Sequence, residues 1–392
     1  MNPQPRRSQK AAHIVLVMLF AAAIALPGLC SLFGLSPASA LQEKRRLASF
    51  PAFRLSRGVL LAFPQAFETY FNDHFAFRDQ LVWGYNWTKA QCLGVSPCPN
   101  VLIGKEGWLY YRDGLRDGSH AVLPLKQEEL ARWTTALEER RQWLAGRGVR
   151  FLVVVAPDKH TIYPEYLPET VKPLPRESRL DQLMAYAPAH SHLSIIDLRE
   201  PLLRAKSAAR VYHKTDSHWN EQGAFAGNGR IEEALAVWFP RIHPLSRSSY
   251  APIAVEAEGG DLAAMLGLPG SYREEYLSLM RRGPQLAHAA AIDAALPART
   301  DLPEYAKPSA FESGRDFFPK AFFYHDSFGN GLKPFLCEHF CRIVTIQQNT
   351  FDAALVEREH PDVVLYEFVE RSLAFPPPGN DFLSAAAGTG GP

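Results

Sequence analysis

Five short apolar runs, rich in β-branched residues and separated by helical lengths of chain, constrain the fold more than any other feature of this sequence. They fall at residues 151–155, 193–197, 321–324, 342–346 and 363–368. Strands that are continuously apolar, not alternating, must be buried on both faces. An amphipathic stretch at 127–145 precedes the first run and supplies a helix able to cover one such face. The pattern predicts an α/β fold with a mainly parallel sheet and helices on both sides, in which functional side chains gather at the carboxyl ends of strands. Residues 242–315, rich in Ala, Pro, Gly and Ser, interrupt the rhythm and read as an insertion or lid of loop and short helix. The stretch 376–392, opening with Pro376, Pro377 and Pro378, is expected to be disordered. With 47% hydrophobic residues the chain is neither disordered nor fibrous, and a formal net charge of +1 gives no reason to expect a nucleic-acid surface.

A second constraint lies near the N-terminus. Residues 14–35 carry no charge for 22 positions, a length that as a helix measures roughly 33 Å, about one hydrocarbon core. Arg6, Arg7, Lys10 and the amino terminus outweigh the charge that follows, which favours a cytoplasmic N-terminus and an exported remainder. Ala38-Ser39-Ala40 also has the form of a cleavage site, so residues 1–40 are read as a signal anchor with a cleaved signal peptide as the alternative. Leu29 stands where a lipoprotein signal before Cys30 would need a small residue. Export permits disulfides. Cys92 and Cys98 bracket a loop containing Gly94 and Pro97 and are expected to pair, whereas Cys337 and Cys341 sit four apart on an apparent helix, an awkward geometry for bridging. Buried free thiols are the alternative.

Chemistry-bearing residues cluster in two turns. In YHKTDSHWN (212–220), Asp216 and His218 lie two apart before a helix start, on one side of an extended segment, so that the carboxylate orients the imidazole. In FFYHDSFGNG (322–331), an apolar strand ends at His325, Asp326 and Ser327, and a glycine-bearing turn enters a helix; this presents Ser327 at a helix N-terminus whose N–H groups suit an oxyanion. The competing readings are plain: Asp216, Asp326 or Ser327 as helix caps, and His218 as a turn residue. His213, Asp216, His218 and His325 include metal-ligand types, but no further spacing completes a familiar metal motif.

The strings KTDSHWN and YHDSF resemble the paired signatures of the AlgJ/AlgX family of polysaccharide O-acetyltransferases, a branch of the SGNH-hydrolase superfamily. Six further segments resemble family stretches in family order: 43–51 (EKRRLASFP), 71–81 (FNDHFAFRDQL), 104–111 (GKEGWLYY), 157–168 (PDKHTIYPEYLP), 260–266 (GDLAAML) and 362–373 (DVVLYEFVERSL). The resemblance implies an SGNH-hydrolase-like, flavodoxin-like sheet over 41–375, circularly permuted relative to the superfamily because the chain order is Asp, His, Ser. It also implies Ser327 as nucleophile, His218 as general base and acid, and Asp216 as its orienting partner. His325 stands where the superfamily has Gly, and only the Ser327 N–H is assigned to an oxyanion hole.

No segment resembles the C-terminal carbohydrate-binding module of AlgX, so the likeness is closer to AlgJ. The implied activity is transfer of acetyl, supplied by a membrane-bound O-acyltransferase, through an acetyl-serine to hydroxyls of an exopolysaccharide such as alginate, in the periplasm at the inner membrane and without metal or cofactor. A secreted esterase or deacetylase with the same triad, and a non-catalytic scaffold of an export complex, are the alternatives. Lys159, Tyr163, Lys214 and Trp219 are candidates for lining an acidic-sugar cleft, with core or turn packing as the competing use. Asp261 and Arg371 read as members of structural polar pairs, and 71–81 as one amphipathic helix.

Overall fold

The computed structural model describes residues 7–33, 35, 47–52, 56–112, 124–169, 171, 177–292 and 307–380. Two units divide the chain, Met1–Pro97 with Ala264–Leu268, and Cys98–Ala263 with Pro269–Pro392. The α/β unit therefore opens near residue 98, and a helical unit precedes it.

In the first unit, helix α1 (Arg7–Leu32) contains the segment Lys10–Ser31, long and apolar enough to cross a membrane. It stops three residues short of the end of the apolar run. The Ala38-Ser39-Ala40 site lies outside the described residues. Helices α2 (Arg57–His74) and α3 (Arg78–Trp87) follow. The stretch 71–81 is thus not one helix: Phe77 takes a left-handed backbone (φ +64°), which breaks the i to i−4 ladder between them. The expected Cys92–Cys98 bridge is not formed. A π-helical turn, Thr88–Cys92, continues α3 and leaves Cys92 exposed to solvent. Helical structure beyond α10 (below) ends before Cys341, and Cys337 is buried, so that pair does not share a helix either.

The α/β unit starts with an antiparallel pair, β1 (Val101–Ile103) and β2 (Leu109–Tyr111). Then come α4 (Gln127–Ala145), β3 (Arg150–Ala156), α5 (Lys159–Ile162), α6 (Arg179–His190), β4 (Ser194–Asp197), α7 (Arg199–Lys206) and α8 (Glu221–Trp238). The segment 242–315 follows as β5 (Tyr250–Glu258), α9 (Asp261–Met265), β6 (Arg273–Arg281), β7 (His288–Ala290) and β8 (Ser309–Glu312). The chain closes with β9 (Lys320–His325), α10 (Gly329–Leu336), β10 (Arg342–Gln347), α11 (Ala353–Glu359) and β11 (Val363–Val369).

The five apolar runs are the five parallel strands of one seven-stranded sheet, ordered β4-β3-β11-β9-β10-β8-β7. Alternate residues feed two cores. From β3, Leu152, Val154 and Ala156 join Ile231 and Leu235 of α8 and Leu332 of α10 on one face. Phe151, Val153 and Val155 meet Leu130, Trp133 and Leu137 of α4 and Leu183 of α6 on the other. Burial on both sides is what a continuous apolar strand requires, since no register leaves it a polar face for water. The last strand, β11, enters between β3 and β9, so the carboxyl ends of strands from distant parts of the sequence are brought side by side.

Residues 242–315 differ from the expected loop and short helix. β5 and β6 form a nine-residue antiparallel ladder carrying α9 at its tip, while β7 and β8 extend the main sheet antiparallel beyond β10. The start of the tail is also ordered. Arg140, buried on α4, donates from Nη2 to the Pro378 carbonyl (2.8 Å) and from Nε to Asn380 Oδ1 (2.7 Å), because a buried guanidinium needs acceptors. Residues 381–392 lie outside the described set.

Candidate active site

The 212–220 stretch is a closed loop and not an extended segment. Tyr212 and Trp219 pair as an isolated antiparallel bridge, and Asn220 caps α8 by accepting from the N–H groups of Gln222 and Gly223. Asp216 therefore does not cap α8. It turns inward instead, its Oδ1 accepting the His218 backbone N–H (2.9 Å) in an Asx-type turn that also brings the imidazole to the same oxygen. Beneath the loop, Lys159 at the start of α5 donates from Nζ to the carbonyls of His213 (3.1 Å), Lys214 (3.0 Å) and Asp216 (2.7 Å).

Ser327 stands just past the carboxyl end of β9 and is not a helix cap: the residue flanking α10 is Phe328, whose N–H is taken by Asp326 Oδ1 (2.8 Å). Asp326 Oδ2 accepts from Val369 N–H (2.8 Å), and its own N–H donates to Glu367 Oε2 (3.2 Å), so the turn is tied to β11. Trp219 Nε1 donates to the Phe328 carbonyl (3.1 Å), tying the same turn to the histidine loop. Glycine is required at 329 and 331 because a Cβ there would lie 2.3 Å from His325 Cβ and 2.6 Å from Trp219 Nε1.

These two turns meet. His218 Nδ1 lies 2.7 Å from Asp216 Oδ1, and His218 Nε2 lies 2.7 Å from Ser327 Oγ. With Nδ1–H donated to a carboxylate, Nε2 keeps its lone pair toward the serine hydroxyl, the tautomer a general base needs. Burial pulls the His218 pKa down, but the hydrogen bond and charge of Asp216, aided by Asp261, outweigh it, and the net shift is upward. Burial likewise opposes ionisation of Asp216, yet His218 and the N–H groups of Asp261 and His218 hold its carboxyl well below the usual range. Asp216 is thereby a fixed anion and His218 the group that titrates.

Of the four residues expected at a cleft, three are buried and serve the scaffold. Lys159 is spent on the three loop carbonyls; burial drags its pKa to about 7 against the pull of Asp216, Asp261 and Glu274. The Tyr163 hydroxyl accepts from Val211 N–H (3.0 Å), and its ring packs on Trp108. Trp219 stacks edge-on against Phe328. Only Lys214 is partly exposed, and its Nζ donates to the Glu106 carbonyl (3.3 Å). In each case an apolar or carbonyl-lined interior captured a side chain whose type also suits sugar binding. The metal-ligand types disperse as well: His213 faces Glu274 (3.5 Å), and His325 is buried with Nδ1 against the Asp326 carbonyl, its pKa lowered by burial and Lys333 to about 3. Asp216, His218 and Asp261 do converge, but hydrogen bonds among themselves and to Ser217 already occupy their oxygens. Arg371 pairs with Asp158 (2.6 Å) and lies over the Phe328 ring.

Glu274 of β6 carries no recognisable motif, yet it accepts from Lys214 N–H (2.6 Å) and Thr215 Oγ (3.0 Å) and is held ionised well below the usual glutamate range, burial being outweighed by His213 and those bonds. A charged side chain at an inward position of an alternating strand is the one signal that marks it.

Comparison with known proteins agrees with this architecture. Residues 101–295 match the family model described as SGNH hydrolase-like domain, acetyltransferase AlgX; that span contains Asp216 and His218 and stops before Ser327. The chain is 28% identical over 171 residues to a probable alginate O-acetylase AlgJ of Pseudomonas fluorescens, covering 43% of this chain and 42% of that one. It is 31% identical over 126 residues to the corresponding protein of Pseudomonas aeruginosa, covering 32% and 30%. The matched region thus spans less than half the length of these relatives. Among solved structures, Bacillus cereus PatB1 is similar with a TM-score of 0.51 at 16% identity, over 70% of this chain and 96% of that one, a likeness of fold. The resemblance to AlgJ/AlgX and the SGNH-hydrolase-like α/β fold therefore hold.

Proposed function

We propose that this chain is an exported O-acetyltransferase that carries acetyl on Ser327 and delivers it to hydroxyls of an exopolysaccharide such as alginate. The observation that carries the reading is the continuous chain Ser327 Oγ, His218 Nε2, His218 Nδ1, Asp216 Oδ1, linked at 2.7 Å at both junctions. As Ser327 Oγ attacks the acetyl carbonyl carbon of a donor, its proton passes to Nε2, and Asp216 stabilises the imidazolium. The tetrahedral intermediate then collapses: the bond to the donor's leaving group breaks, and that group takes the proton from Nε2. An acceptor hydroxyl reverses the sequence, losing its proton to Nε2 as its oxygen attacks the acetyl-serine, and Ser327 recovers a proton on release. The Ser327 backbone N–H serves as an oxyanion donor, because the next N–H, of Phe328, is engaged by Asp326.

Acetyl reaches such a site through a membrane-bound O-acyltransferase, and α1 holds the chain beside that partner, anchored in the inner membrane with the catalytic unit in the periplasm. The AlgJ relatives, named as alginate O-acetylases, support a uronate polymer as acceptor. The test is mass spectrometry of the purified chain incubated with a chromogenic acetyl ester, with and without uronate oligosaccharides. The expected result is a single acetyl on Ser327, discharged to the oligosaccharide, and none in Ser327→Ala. Acetyl discharged only to water would turn the assignment to an esterase; a folded Ser327→Ala that acetylates normally would overturn it.

A further inference from the structure

The hairpin β5–β6 carries at its tip the sequence Gly259-Gly260-Asp261, and this tip grips the histidine loop at Thr215, Asp216 and Ser217. Asp261 N–H donates to Asp216 Oδ2 (2.9 Å), the carboxylate oxygen that His218 does not use. In return, Asp261 Oδ1 accepts the Ser217 backbone N–H (2.7 Å) and Oδ2 accepts the Ser217 hydroxyl (2.5 Å). Asp261 Oδ2 lies 3.7 Å from His218 Nδ1, and Ser217 Oγ lies 3.4 Å from the same nitrogen. Two further bonds lock the approach: Gly260 N–H to Thr215 Oγ (3.0 Å) and Ala263 N–H to the Thr215 carbonyl (3.2 Å). No side chain fits at 260, where a Cβ would stand 2.4 Å from Asp216 Cβ.

We infer that Asp261 is a positioning residue for the Asp216–His218 pair, clamping the loop through Ser217 and setting a second negative charge beside His218 Nδ1. The inference rests on the acyl-transfer reading of the site. An imidazolium formed when Ser327 gives up its proton then faces two carboxylates, one bonded and one in electrostatic range, and the charge separated during attack is stabilised from both. The other charged groups around His218 are Arg371 beyond β11 and Asp326 at the β9 turn, while Lys159 beneath the loop faces both Asp216 and Asp261. Arg371 opposes protonation of the ring, and the second carboxylate offsets it.

The experiment replaces Asp261 by Asn, which keeps an acceptor for Ser217 and removes the charge, in the full chain solubilised in detergent. The ¹³C-edited NMR titration of the His218 ring, assigned with His218→Gln, reads the proton affinity without needing turnover. Its midpoint is expected to fall by about one pH unit, the low end for a neighbouring charge at a partly exposed site. In parallel, kcat for the chromogenic ester should fall about tenfold with KM nearly unchanged, and the acid limb of the pH–rate profile should move down with the titration. A folded Asp261→Asn whose His218 midpoint does not move overturns the inference, even if kcat drops. If Asn fails to fold, Asp261→Ser supplies the same comparison, and if neither folds the residue is purely structural and the inference falls. If Asp261→Asn shows the NMR shift but the parent chain turns over no ester, the acyl-transfer reading is refuted instead.

Discussion

Gly260→Ala should nearly abolish the proposed acetyl-ester turnover while leaving the chain folded. The added methyl would lie 2.4 Å from Asp216 Cβ, 2.6 Å from its Oδ2 and 2.9 Å from its Cγ. Carbon atoms in contact sit about 3.5–4.0 Å apart, so the Asp216 side chain must retreat by about 1 Å or more. It cannot rotate away freely, because Oδ1 holds the His218 backbone N–H and Nδ1, and Oδ2 holds Asp261 N–H. A retreat of that size stretches the 2.7 Å bond to His218 Nδ1 beyond hydrogen-bonding range. Misplacing a catalytic group by about 1 Å costs on the order of 10²-fold, and losing the orienting carboxylate of a serine triad costs about 10⁴-fold. The expected loss in kcat lies between these limits, roughly 3–5 kcal/mol of transition-state stabilisation. Chromogenic acetyl-ester turnover measures it, with circular dichroism confirming the fold. Gly229→Ala is the control: no atom lies within 4 Å of a Cβ at that position of α8, so turnover should stay the same and stability rise by about 0.5–1 kcal/mol. A folded Gly260→Ala with kcat within about threefold of the parent would show that Asp216 does not orient His218.

Lys159→Met should destabilise the chain by about 2 kcal/mol in urea unfolding, because three loop carbonyls lose a donor, only partly offset by relieving the buried charge; unchanged stability would mean the tripod contributes nothing. The pH–rate profile should show an acid limb centred above the ordinary imidazole value of about 6.5, since His218 is shifted upward in the fold and must be neutral to accept the serine proton. Its contribution to stability has the opposite sense. It is fully present below the unfolded value and fades as pH rises through the folded one, which the difference in unfolding free energy between the parent and His218→Gln would register.

Hydrophobic patterning is enough to read the sheet from the chain. Five mostly apolar runs point to sheet strands, and each became a parallel strand within a residue or two of its expected ends. Hydrophobic periodicity is local, so it survives being read one segment at a time. The two turns bearing Asp216, His218 and Ser327 were legible for the same reason, through polar residues placed where strands stop and helices start. Partnership was not. Ser327 and His218 lie 109 positions apart, and the packing of α8 on α10, the rings gathered on Phe328 and the Trp219 bond to its carbonyl bring their turns together. Residue type misled at Lys159, Tyr163 and Trp219, where chemistry suited to a sugar cleft was consumed by loop carbonyls and core packing, because a polar group's role depends on which partner the fold sets against it. The tertiary structure alone turned an apparent insertion into the brace of the site: Glu274 and Asp261 face the histidine loop only because the β5–β6 ladder holds their hairpin against it.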